Sequence, residues 1–134
     1  MKYRLLIFAI LFVFCGCHSE NKDSFLLTTL LYDVDSLSVH YYSDKSNTGK
    51  GTTDSSQIRT ITELLTKKSD RDTTSCKYSG NISFYKKNTL AYSVFFSTGK
   101  KEGADCEQLI YNIEGKKHCV PLSYQAGMFI SSMK

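Results

Sequence analysis

Apolar and polar positions follow two rhythms along this chain. Leu37, Val39 and Tyr41 alternate with Ser36, Ser38 and His40, and a two-residue period predicts a strand with one face buried. The next periodic stretch changes rhythm. Asp54 and Gln57 stand at capping-box spacing, and Ile58, Ile61 and Leu65, with Leu64 beside them, form one apolar stripe. This predicts a helix over residues 55–68, closed by Lys67 and Lys68, whose charge suits the negative end of the helix dipole. From Cys76 onward the two-residue period returns. Tyr78, Gly80, Ile82 and Phe84 share one parity, and Tyr92, Val94 and Phe96 share one on the next run. A three-residue loop pairing Lys86 with Leu90 sets Phe84 opposite Tyr92 and Ile82 opposite Val94, so the apolar faces coincide. A two-residue loop would set Ile82 opposite Ser93 and split the core face. On the other face Ser83 then meets Ser93 and Tyr85 meets Ala91, a polar, solvent-facing surface with Phe95 as its exception.

Leu109, Tyr111 and Ile113 predict a further strand, Glu114-Gly115 a two-residue turn, and His118, Val120 and Leu122 the returning strand. Leu109 pairs with Val120 and Tyr111 with His118. Pro121 lacks a ladder donor, which places this strand at a sheet edge. Ser123 caps a last helix whose stripe is Ala126, Phe129, Ile130 and Met133. Ser43–Thr53, Ser69–Ser75 and Gly99–Asp105 are polar and read as loops. The order is β-α-β-β-β-β-α. The expected fold is a two-layer α+β domain, an antiparallel sheet of about five strands covered on one face by two helices.

The first residues do not belong to this pattern. Lys2 and Arg4 precede ten residues, Leu5–Phe14, without a polar side chain. A membrane-crossing helix needs about 20 apolar residues, so the run has the length of a signal-peptide core. It ends in Phe14-Cys15-Gly16-Cys17, a small residue directly before a cysteine. This stretch resembles the lipobox of bacterial lipoproteins, with Phe14 where Leu is usual and Cys15 where Ala or Ser is usual. The resemblance implies cleavage after Gly16 and a diacylglycerol on the Cys17 thiol. It also implies membrane attachment, since two or more acyl chains anchor stably. His18, rather than Asp, follows Cys17, which by the best-studied sorting rule favours the outer over the inner membrane of a bacterial envelope. The alternatives are an ordinary secretory signal or an uncleaved anchor. The expected organisation is a signal over 1–16, a lipidated tether over 17–25 and one domain over 26–134. The layout resembles small bacterial envelope lipoproteins, and the helix-on-sheet plan is similar to cystatin-like folds, periplasmic inhibitors and outer-membrane assembly accessories.

Composition then changes in meaning. The chain of 134 residues carries a formal charge of +4, but loss of Lys2 and Arg4 leaves 15 basic against 13 acidic residues, or +2. Nucleic-acid binding loses its compositional support. Of five cysteines, Cys15 leaves with the signal and Cys17 takes the lipid. Cys106 and Cys119 lie too far apart in their hairpin, about four residues or roughly 13 Å at strand rise, against a bridging limit near 7 Å. Cys76 and Cys106 each open a strand at the same end of the sheet and are the expected disulfide. Three reduced thiols are the alternative.

Candidate chemistry is sparse. No CxxC occurs, and His18, His40 and His118 are scattered, so no metal or other cofactor is expected. No Gly-x-Ser-x-Gly or phosphate-cradling loop occurs. His118 and Cys119 are neighbours on a strand and point to opposite faces, and His118 is expected exposed or at an edge. Asp33 with Asp35, and Asp70 with Asp72, read as turn carboxylates rather than an acid/base pair. Lys86, Lys87, Lys116 and Lys117 fall in two turns at the same end of the sheet, a candidate patch for an anionic partner; ordinary solvated turns are the bland alternative. The expected function is a monomeric, non-catalytic, membrane-tethered binding or inhibitor-like module for an envelope protein or glycan. A small hydrolase or thiol enzyme working through Cys119 or a serine is the alternative.

Overall fold

The computed structural model describes residues 22–43, 49–67, 76–101 and 104–134. The signal, Cys17, Cys15 and His18 lie outside them, as do Asp70 and Asp72. In chain order the elements are α1 (Lys22–Leu31), β1 (Ser36–Tyr41), β2 (Lys50–Thr52), α2 (Ser55–Thr66), β3 (Gly80–Lys86), β4 (Thr89–Ser97), β5 (Lys100–Lys101), β6 (Ala104–Asp105), β7 (Gln108–Ile113), β8 (Lys116–Pro121) and α3 (Tyr124–Ser132). An antiparallel sheet runs β2-β1-β3-β4-β7-β8, and three helices back it. The architecture is α+β, as the hydrophobic pattern requires.

The core lies between helices and sheet. Leu27 and Leu31 of α1, Ile58, Ile61, Leu64 and Leu65 of α2, and Ala126, Phe129 and Ile130 of α3 meet the alternate residues of the strands: Leu37, Val39, Ile82, Phe84, Val94, Phe96, Leu109 and Val120. Each large side chain so buried contributes roughly 1.5–3 kcal/mol relative to exposure. Two tyrosines reach across this layer and satisfy helix carbonyls. Tyr41 donates to the Ile130 carbonyl at 2.9 Å, and Tyr111 to the Leu65 carbonyl at 3.3 Å.

The helix caps form where the residues demand. Asp54 accepts from the Ser56 backbone N–H, and Ser123 from that of Ala126. Gln57 does not complete a reciprocal capping box. Its Oε1 accepts from Thr52 Oγ1 at 2.8 Å, and Thr52 Oγ1 in turn accepts from the Asp54 N–H. α2 ends at Thr66, with Lys67 as its C-cap; Lys68 lies outside the described residues.

Four expectations are corrected. Residues 22–25, read as tether, are the first turn of α1, and Phe25, their one apolar residue, cannot show a helical period alone. The loop over 43–53 contains β2, which pairs with Leu37–Val39 although Lys50-Gly51-Thr52 has no hydrophobic residue to reveal it. The loop over 99–105 contains the small β5–β6 hairpin. In the β3–β4 hairpin, Phe84 meets Tyr92 and Ile82 meets Val94, but Lys86 meets Thr89 and Tyr85 meets Leu90. The turn is the two-residue Lys87-Asn88, both at positive φ. Ala91 is the extra residue, a bulge that restores the apolar register. In the β7–β8 hairpin, Leu109 faces Val120, Tyr111 faces His118 and Ile110 faces Cys119, all as expected. β8 is an edge strand.

Candidate functional site

The sheet face away from the helices is polar over β1, β3 and β4. Strand alternation puts Ser36, Ser38 and His40, then Asn81, Ser83 and Tyr85, then Ser93 and Phe95 on this side. The register aligns Ser38 with Ser83 and Ser83 with Ser93, so three serines form one row across three strands. Asn81 Nδ2 donates to Ser83 Oγ at 3.1 Å and reaches Ser93 Oγ at 3.5 Å, and the Ser83 and Ser93 hydroxyls lie 3.4 Å apart. Ser38 Oγ donates to the Tyr85 hydroxyl at 3.5 Å. Ser93 Oγ also donates to the Ile82 carbonyl at 3.3 Å, so the O–H groups of Ser38 and Ser93 are engaged, and the row offers a ligand mainly the acceptor lone pairs of its serine oxygens.

Aromatic rings flank the row. Tyr78 stacks on Phe95, with centroids 4.7 Å apart and planes 9° from parallel, and His40 meets Tyr42 edge-on at 5.9 Å. Lys117 Nζ lies 5.8 Å above the Tyr78 ring. Burial raises the Tyr42 hydroxyl pKa above 10.0, and the nearby Tyr78 adds to the shift. His40 Nε2 is buried with no hydrogen-bond partner among the described residues. At one end of the face a shallow hollow of about 420 Å³ opens between β1, β2 and the β3–β4 turn, lined by Tyr85, Asn88 and Thr52 among others.

The polar second face expected of the β3–β4 hairpin, with Phe95 as its exception, extends over β1 as well. Toward β7 and β8 it closes. Ser97, Cys106, Gln108, Ile110 and Cys119 are all buried there, beside the Cys76–Cys106 disulfide, whose Cα atoms are 5.7 Å apart. That bridge is the expected one. Cys119 is outside the disulfide and 1% exposed. His118 lies on the opposite side of β8, at the sheet edge as expected, and is partly buried. It stacks on Tyr111 at 5.1 Å, and its Nε2 sits 3.5 Å from Asp23 Oδ2. His118 and Cys119 therefore do not act as a pair.

The two lysine-bearing turns do share one end of the sheet, but α1 and its flanks bring carboxylates to them. Lys86 pairs with Asp33 at 3.5 Å, Lys116 with Asp23 at 3.8 Å, and Lys22 with Glu114 at 3.6 Å. Asp35 accepts the Lys87 backbone N–H at 2.7 Å. This bond, and a second from Ser36, hold the Asp35 carboxyl below its ordinary 3.8. The result is a mosaic of both signs, where sequence spacing alone suggested a block of four cations. Asp33 and Asp35 act as the turn carboxylates expected. Among the described residues no group of three His, Cys, Asp or Glu side chains converges as metal ligands would, and no helix is long and apolar enough to cross a membrane.

The chain matches no family model, and no curated protein or solved structure matches it.

Proposed function

We propose that this chain is a lipid-anchored bacterial envelope protein, held through Cys17 and most at home in the outer membrane, whose domain binds a ligand without catalysis. The observation that carries the binding reading is the row of Ser38, Ser83 and Ser93 with Asn81 beside it, uncovered by any described helix and flanked by Tyr42, Tyr85 and the Tyr78–Phe95 stack. Flat hydroxyl and amide arrays between aromatic rings match a glycan, which presents hydroxyls at its edges and C–H surfaces on its faces. The membrane reading rests on the Leu5–Phe14 run and Phe14-Cys15-Gly16-Cys17.

Two measurements test the two halves. Cells fed a fatty-acid probe should label the chain, and Cys17→Ala should abolish the label; label retained in that variant overturns the anchor. Binding to envelope glycan fragments should fall at least about tenfold in Ser83→Arg, the loss of roughly 1.4 kcal/mol or more that a clash at an interface centre brings. Equal binding by both proteins removes the sheet face as the site. A protein ligand lost in Ser83→Arg would keep the face and change the ligand class. The thiol-enzyme alternative requires access to Cys119, which is buried, and labelling of Cys119 by a thiol reagent in the folded protein would revive it.

A further inference from the structure

α1 has a second face that the core does not use. Leu27 and Leu31 turn inward and are buried, while Phe25 is 71% exposed, Tyr32 at the helix end 68% and Leu30 41%. Phe25, Thr29 and Tyr32 follow each other at four and three residues, so they line one outward stripe. No charged residue occurs between Asp23 and Asp33. The threonines of the stripe are also less polar than they look. Thr28 Oγ1 donates to the Ser24 carbonyl at 2.8 Å and Thr29 Oγ1 to the Phe25 carbonyl at 2.9 Å, so their hydroxyls are occupied within the helix. Lysines rim the stripe. Lys22 begins the helix, Lys86 Nζ stands 6.0 Å from the Tyr32 ring centroid, and Lys116 pairs with Asp23.

The chain length before α1 says what this face meets. Five residue steps separate Cys17 from Lys22, and a fully extended chain spans at most about 3.5 Å per residue, or roughly 17 Å. A domain of about 110 residues has a radius of gyration near 13 Å, so the tether is shorter than the domain is wide. A lipid on Cys17 keeps the start of α1 at the headgroups. We propose that the outer face of α1 lies on the bilayer surface, with Phe25, Leu30 and Tyr32 in the headgroup–acyl boundary and the rim lysines at lipid phosphates. Amphipathic surface helices bind in this way, and lysine stems let their ammonium groups reach the phosphates. Asp23, Asp33 and Glu114 offset the rim lysines, so apolar burial and the anchor dominate over charge. The polar sheet face, on the far side of the sheet from the helices, then points into the aqueous space. This inference rests on the proposed lipid anchor.

The chain has no tryptophan, which makes a clean depth measurement possible. The full lipid-modified chain is reconstituted in vesicles of three parts phosphatidylcholine to one part phosphatidylglycerol with brominated acyl chains. It carries a single probe: Phe25→Trp, Tyr32→Trp, or Tyr42→Trp on the polar face as reference. All three sites are exposed, so the fold is retained, which circular dichroism verifies. The first two probes should be quenched about twofold or more relative to Tyr42→Trp, because a face seated 5–10 Å into the interface meets the bromines. Equal quenching at all three sites, or none at positions 25 and 32 in a chain that floats with the vesicles, overturns the inference while sparing the anchor. A chain that neither floats nor takes up fatty acid refutes the anchor, and the inference falls with it.

Discussion

Gly80 marks the tightest point of the sheet. It pairs with Tyr41 on one side and Phe96 on the other, and these two rings meet edge-to-face at 5.0 Å. A Cβ at position 80 would stand 2.1 Å from the His40 carbonyl oxygen and 2.5 Å from the Phe96 ring. Gly80→Ala should therefore destabilise the domain by about 2–3 kcal/mol, the cost of overpacking a rigid core. Gly99→Ala, where nothing lies within 4 Å, should stay within about 0.5 kcal/mol; urea denaturation of the two checks the contrast. Two aspartates make folding sensitive to acid. Asp35 is held low by the Lys87 N–H, and Asp54 by the Ser56 hydroxyl and N–H. A carboxylate lowered on folding stabilises fully above its unfolded value of 3.8 and loses that contribution as pH falls through the lowered one. Unfolding midpoints should decline on the acid side of about pH 4, and the Asp35→Asn, Asp54→Asn double variant should flatten that decline. An equal slope in both proteins would assign acid sensitivity to other groups.

At the level of elements, the β3–β4 hairpin shows how packing overrules local turn geometry. Phe84 must face Tyr92 to keep both in the core. The turn at Lys87-Asn88 takes two residues, so Ala91 is squeezed out as a bulge. Deleting Ala91 leaves Lys86 opposite Thr89, Tyr85 opposite Leu90 and Phe84 opposite Tyr92 in one unbroken ladder. That variant should fold with the same core pairing, visible as the Phe84–Tyr92 and Ile82–Val94 contacts in nuclear Overhauser spectra. Loss of those contacts would show that the bulge itself specifies the register. The alternating residues made the pairing of Phe84 and Ile82 legible. The bulge was not legible, because an odd loop and a two-residue turn with one bulged residue satisfy the same apolar pattern.

Across the whole molecule, the Cys76–Cys106 bridge joins the chain ahead of β3 to the chain ahead of β7, 30 residues apart. Closing a loop of that length removes unfolded-chain entropy worth about 3.5 kcal/mol. The Cys76→Ser, Cys106→Ser double variant should lose roughly this much, against its own reduced parent as control. A loss under about 1 kcal/mol would mean that the unfolded chain is already compact. The same bridge borders the buried strip of Ile110, Gln108 and Cys119, which divides the second sheet face into a closed part and an open polar part. That division leaves the Ser38–Ser83–Ser93 row on the open part.

Sequence alone determined the elements whose periodicity is strong: β1, α2, the core pairing of the two hairpins, α3 and the edge position of β8; it narrowed the cysteines to Cys76–Cys106 or three reduced thiols, and the structure holds the bridge. Period and parity depend only on neighbours along the chain, and they assign each side chain to a face before any partner is known. The serine row was legible in the same way, as the polar half of the alternation. Tertiary structure decided what depends on distant residues meeting. β2 has no apolar signature and exists because β1 offers an edge. α1 becomes a helix through Leu27 and Leu31 packing on the core. Two of the four turn lysines, Lys86 and Lys116, change character because α1 and its flanks carry Asp33 and Asp23 to them, and His118 stacks on Tyr111 beside Asp23. Charge pairing and burial are properties of proximity in space, which spacing along a chain does not encode.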